Sequence, residues 1–326
     1  MGSIMDSSAR TINLYYLFIF VRSLSFLWPV WVLLLNDRGY DIFIITLLDV
    51  IFFVTMALTE IPTGTVADKI SRKLSLLVGV LLYSIGIIIF ALASDLWSTI
   101  VAYIIWATGM TFWSGADQAF LYDSLKHFSM EEDYQRVYGQ SLFLGGVATA
   151  LASIIGGLLG SFDLRLPVLL TAVASVGSGI ILIFIPEKWP TEGMAKTKYA
   201  RHVLETIRIV KDSRIVGLLF VFSTLFAIMG IIEFVFRQLY LRTELGVSVF
   251  LIGVLYAIAI SLNALGAKSS SRFNEILGDK LFLWTQAAII GISFFFLGLA
   301  IPLISVSFLL LYSCYGSTFE PLLNCP

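Results

Sequence analysis

Long apolar runs broken by short polar ones dominate the chain. A bilayer core about 30 Å thick needs roughly 20 helical residues to cross it. By that measure the pattern predicts ten spans, at 12–35, 42–66, 74–94, 97–122, 139–160, 166–186, 215–237, 247–267, 281–300 and 303–324. The runs are apolar on most faces and do not alternate, so they predict helices in lipid and not barrel strands. One polar segment is much longer than the others. Within it Tyr199, Val203, Ile207 and Val210 recur at helical steps, which predicts an amphipathic helix on the membrane surface. The expected organisation is a six-helix half at 1–186, a linker at 187–214 and a four-helix half at 215–326.

Composition narrows the class. Hydrophobic residues make up 58% of the 326 positions and charged residues only 13%, against roughly 45–50% and about 25% in soluble domains. A soluble enzyme, a nucleic-acid binder and a disordered chain are excluded. The fold class is an all-α polytopic membrane protein. No G-x-x-x-x-G-K-[ST] loop occurs, so ATP is not the direct energy source and no enzymatic activity is expected. Cys314 and Cys325 lack CxxC spacing, and His127 and His202 lie in polar segments, so neither a metal nor a cofactor is expected. The polar start at 1–10 leads into an apolar run too long for a cleavable signal.

The net charge of −1 is uninformative, but its placement is not. If the N-terminus and the loops after spans 2, 4, 6 and 8 share one side, only Arg38, Arg165 and Arg242 fall opposite. This asymmetry predicts a cytoplasmic N-terminus in a multi-pass protein of the plasma membrane.

The halves echo each other. Span 2 ends in Glu60-Ile-Pro-Thr-Gly-Thr-Val-Ala-Asp-Lys-Ile-Ser-Arg-Lys73, and span 8 in Gly266-Ala-Lys-Ser-Ser-Ser-Arg272. Span 4 carries Trp113-Ser-Gly-Ala-Asp117 through Asp123, and span 10 carries Tyr315 through Asn324. Repeated helical halves point to a secondary transporter with its site where they meet. The run Gly64-x-x-x-Asp68-x-x-Ser71-Arg72-Lys73 resembles the loop 2–3 motif of the major facilitator superfamily, G-x-x-x-D-x-x-G-R-K/R. The resemblance implies a two-half helical bundle and a latch formed by Gly64, Asp68, Arg72 and Lys73. It departs at Ser71, which stands at the second motif glycine. Members usually have twelve spans, so a chain shortened at its C-terminal side is also implied.

Charges at membrane depth cost roughly 2.5–3.5 kcal/mol each, so each needs a partner or a purpose. Arg22 lies deep in span 1, where its guanidinium fork suits bidentate pairing with a carboxylate. Asp49 and Glu60 share one face of span 2 with Phe53, Met56 and Gly64. Trp106, Trp113, Asp117 and Phe120 share a face of span 4, and Asp123 lies beyond it. Glu233 and Arg237 are spaced for a helical ion pair in span 7, and Glu320 precedes Pro321 in span 10. The cavity is therefore expected to hold Arg22, Asp49, Glu60, Asp117, Glu233, Arg237, Glu320 and Trp113. Glycines of span 5, among them Gly145, Gly146, Gly156, Gly157 and Gly160, predict close helix crossings. The function expected is monomeric secondary transport of a small solute by alternating access. Its finer form is proton-coupled efflux of drug-like or amphiphilic compounds. A receptor or sensor on the same fold, or an inactive shortened transporter, is the competing class.

Overall fold

A computed structural model describes residues 2–69, 71–187, 214–299, 301, 304–307 and 309–311. Its helices are α1 (Gly2–Arg22), α2 (Trp31–Asp37), α3 (Ile42–Lys69), α4 (Arg72–Leu92), α5 (Leu96–Thr111) and α6 (Ala116–His127). They continue with α7 (Tyr134–Gly160), α8 (Arg165–Phe184), α9 (Arg214–Leu239) and α10 (Val249–Gly298). No strand occurs among the described residues. There, six helical stretches are long and apolar enough to cross a membrane. The amphipathic helix expected within 187–214, the cysteines, His202 and Glu320 lie outside the described residues.

Two expected spans are broken. The run 12–35 divides into α1 and α2, with irregular backbone at 23–30. Pro29 explains part of this, since it has no N–H to donate and disfavours helix at Trp28. The run 97–122 divides into α5 and α6 at Phe112–Gly115, where Gly115 has φ +72°. That left-handed conformation suits glycine. Trp106 therefore does not share a continuous helix face with Trp113 and Asp117. The expected polar loop after span 2 is also corrected. Helix α3 carries Gly64 on to Lys69, with Pro62 inside it, and only two residues separate it from α4.

Local chemistry sets several ends. Asp95 and Ser98 form a reciprocal capping box at the start of α5. Ser71, where the motif has glycine, adopts an extended conformation and accepts from the Leu74 N–H at 2.9 Å, capping α4. Ser248 caps α10 in the same way. Helix α10 runs through both expected spans 247–267 and 281–300, with a single break at Gly278, φ +71°.

The core near the α4–α5 turn is aromatic, with Trp31, Phe90, Tyr103 and Trp106 buried together. A second apolar cluster, including Phe18, Leu76, Phe120 and Leu182, lies toward the motif end. Helix α7 approaches its neighbours through glycine. A Cβ on Gly156 would stand 2.1 Å from the Phe26 carbonyl oxygen, and one on Gly157 2.7 Å from Gly253 Cα. Gly146, by contrast, faces open space.

Gly156→Ala is expected to lower the melting temperature in detergent, costing about 1–3 kcal/mol by overpacking. Gly146→Ala should be neutral or slightly stabilising. Equal melting of the two variants would refute the close approach at Phe26.

Candidate functional site

The two breaks face each other and bring opposite charges together. Arg22 ends α1 and Asp117 lies in the first turn of α6. Each sits where its own helix dipole favours its sign. Arg22 Nη2 donates to Asp117 Oδ2 at 3.1 Å. The guanidinium also lies 5.2 Å from the Trp113 ring and 5.6 Å from Phe18. Bidentate pairing does not form: Arg22 Nη1 has no partner. A carboxylate partner for Arg22 was legible in the sequence, but the broken helices that make the pair possible were not.

Asp49 and Glu60 both lie on α3 but in different surroundings. Glu60 accepts a long bond from the Ser114 hydroxyl, 3.4 Å, beside the second break. Asp49 lines a cavity of about 230 Å³ together with Trp28, Trp31, Phe52, Tyr103 and Trp106. Phe234 and Val235 of α9 close the same cavity, so its wall draws on both ends of the sequence. Trp113 is not among its lining residues; it packs on Tyr83, ring centroids 4.7 Å apart.

Glu233 and Arg237 form the expected pair on α9, both largely buried, with Nη2 to Oε2 at 2.6 Å. Arg237 also lies 5.0 Å from the Tyr256 ring. The next residue, Gln238, was not singled out from the sequence. It is fully buried, donates to the Trp28 carbonyl at 2.8 Å and accepts from the Val32 N–H at 3.0 Å. A lone glutamine in an apolar span was the available signal.

The motif residues tie one group of helices together. Arg72 pairs with Asp123 at 2.5 Å and donates to the Ala119 carbonyl at 2.7 Å, fixing α4 to α6. Lys73 donates to the carbonyls of Ile183 and Ile185 at 2.8 and 2.7 Å, at the end of α8. Glu187 accepts from the Ser71 hydroxyl and the Lys73 N–H. Gly64 faces open space, and the Asp68 side chain lies outside the described residues. No cluster of metal ligands occurs among the described residues.

The Major Facilitator Superfamily model matches residues 14–325. The chain belongs to the major facilitator superfamily. It is a multi-pass membrane protein of a transporter family and not an enzyme. An uncharacterized MFS-type transporter of Methanocaldococcus jannaschii is 27% identical over 173 residues, which are 53% of this chain and 41% of that protein. The match thus spans about two fifths of that relative's length. Among solved structures, a point mutant of the nucleoside transporter NupG superposes with a TM-score of 0.83 at 16% identity, covering 96% of this chain and 81% of that one. A bacterial homolog to the human lysosomal transporter Spinster, inward-facing and unoccupied, gives 0.72 at 16% identity, covering 96% and 74%. A D-xylose–proton symporter gives 0.65 at 12% identity, covering 98% and 81%. At these identities the likeness is one of fold.

A double-mutant cycle with Arg22→Ala and Asp117→Ala is expected to give a coupling of about 1–3 kcal/mol in thermal or denaturant unfolding. Strict additivity would mean that the two charges are held separately.

Proposed function

We propose that this protein is a secondary active transporter of a small solute, in which two halves, 1–186 and 215–326, move about a shared cavity. The carrying observation is a cavity lined from both parts of the chain beside a glycine contact between α7 and α10, which supports opening there. At the end carrying Arg38 and Arg165, α7 and α10 meet backbone to backbone: a Cβ on Gly253 would stand 2.4 Å from the Ser153 carbonyl oxygen. Gln238 adds a second link there, to the broken backbone between α1 and α2. Smooth glycine faces let helices slide or part without unthreading side chains. Broken helices beside a central charge pair are a recurring design for solute sites in transporters.

The finer reading follows the charges. Basic residues at the motif end support a cytoplasmic N-terminus and a plasma-membrane location. The protein acts as a monomer. Asp117 and Glu60, beside the second break, are the groups proposed to carry a coupling proton, with Arg22 as the charge that responds to it. A D-xylose–proton symporter shares the fold, which supports proton coupling without fixing a cargo. Efflux of drug-like or amphiphilic compounds suits the aromatic cavity.

The test is transport in proteoliposomes under an imposed pH gradient. Solute accumulation that responds to the gradient is expected, and Glu60→Gln should remove that response while leaving solute binding in place. A Glu60→Gln protein with an unchanged gradient response would reassign Glu60 to structure. Gly253→Leu should hold the α7–α10 contact open and abolish turnover. Normal turnover in Gly253→Leu would contradict opening at this contact, and no movement of any solute would favour a receptor or sensor.

A further inference from the structure

The carboxylates at membrane depth whose side chains are described are almost all engaged. Asp117 pairs with Arg22, Asp123 with Arg72 and Glu233 with Arg237. Glu60 accepts from Ser114. Asp49 is the exception: it makes no hydrogen bond or ion pair among the described residues. Arg22, Arg72 and Arg237 pair with those carboxylates; Arg38 donates from Nη2 to the carbonyls of Phe90 and Ala91 at 2.6 and 3.0 Å, its Nε and Nη1 have no partner, and it forms no ion pair with Asp49. Asp49 is half-buried, and an ionised carboxylate partly withdrawn from water and without a cation is unfavourable. Asp49 therefore either takes up a proton or is balanced by a cation from outside the described protein groups.

The surroundings say what kind of group would answer it. Asp49 is the single carboxylate of a cavity walled by aromatic rings. Trp106 anchors that wall, with Phe52 at 5.2 Å, Trp28 at 6.2 Å and Trp31 at 6.2 Å between ring centroids. Phe234 of α9 closes it edge-on to Trp28 at 5.4 Å. Ring faces carry partial negative charge and attract cations, most strongly when water is excluded. A neutral solute would gain from the apolar wall but give nothing to the ionised form of Asp49, and an anion would be repelled by that form. The volume, about 230 Å³, exceeds the roughly 150 Å³ that holds a benzene ring. It accommodates one small organic cation and excludes nothing but bulk.

We infer that Asp49 and the aromatic wall form a binding site for a small organic cation, a quaternary or protonated amine with an apolar body. As cargo recognition this rests on the transporter reading, but as binding it stands alone. The role differs from that of the Arg22–Asp117 pair, which is internally neutral and needs no ligand for charge balance.

The probe is phenyltrimethylammonium, with tert-butylbenzene as its uncharged carbon isostere. Equilibrium binding of the radiolabelled cation to the purified full chain in detergent should be saturable, and the isostere should compete poorly. Asp49→Asn should weaken binding about ten-fold or more, while Asp49→Glu retains most of it. Trp28→Leu, which removes a ring but no charge, should weaken it by a smaller factor. Thermal melting of each variant separates lost binding from lost folding. Equal binding to Asp49→Asn, or equal competition by the isostere, overturns the inference. Charge-dependent binding without transport of the cation in proteoliposomes would sustain the site and refute the cation as cargo. Gradient-driven transport of other solutes with no cation binding would do the reverse.

Discussion

Backbone polar groups released inside a membrane must find partners, because hydrocarbon offers none. The irregular segment at 23–30 creates that demand, and helices distant in sequence meet it. Thr171 of α8 accepts from the Leu27 N–H at 3.1 Å, and Thr149 of α7 donates to the Ser23 carbonyl at 3.1 Å. Gln238 of α9 takes both the Trp28 carbonyl and the Val32 N–H. The break is thus held by three different helices, and their positions around it follow from its needs. The second break is served likewise: Ser75 donates to the Phe112 carbonyl at 3.1 Å and Thr63 to Thr111 at 3.3 Å.

The charges then fall into a consistent plan. Breaking both helices at depth supplies a helix C-terminus for Arg22 and a helix N-terminus for Asp117, so the dipoles offset part of the insertion cost. Aromatic faces supply the rest of the arginine's surroundings. At the motif end Arg72, Lys73 and Glu187 use formal charge to fix α4 against α6 and α8. At the other end glycine contacts and one glutamine suffice. The motif-end bonds of Arg72 and the Lys73 side chain lie within 1–186, whereas the glycine contact of α7 with α10 and the Gln238 bonds join the two parts of the chain at the other end.

Much of this was legible because bilayer thickness sets a length that apolar runs reveal directly. Helices α3, α4, α7 and α8 lie where the runs placed them. The Glu233–Arg237 pair and the packing of Gly156 and Gly157 also followed from spacing. The breaks did not, since Leu24, Phe26, Leu27 and Trp28 are as apolar as any helix. Only Pro29, Ser114 and Gly115 marked them, and these are tolerated in intact spans. The polar loop expected to open on Gly64 failed because polar residues such as threonine can continue a helix. Thr63, for example, bonds back to the Thr59 carbonyl at 2.9 Å. Gln238 stood out only as a glutamine in an apolar run; its partners are backbone atoms far away in the chain, which no local pattern encodes.

The cavity wall has a thermodynamic consequence. Asp49, Phe52 and Trp106 come from one part of the chain and Phe234 from another, so an occupant touches both at once. Its affinity is then a function of their separation, and the occupant acts on the conformational equilibrium as well as sensing it. In the proposed cycle, a molecule that fits this arrangement far better than any other would be a wedge that jams it. One that fits several arrangements equally shifts nothing and passes through. Tight fit and rapid passage are opposing demands on the same rings, which sets an upper bound on how strongly a good cargo can be held.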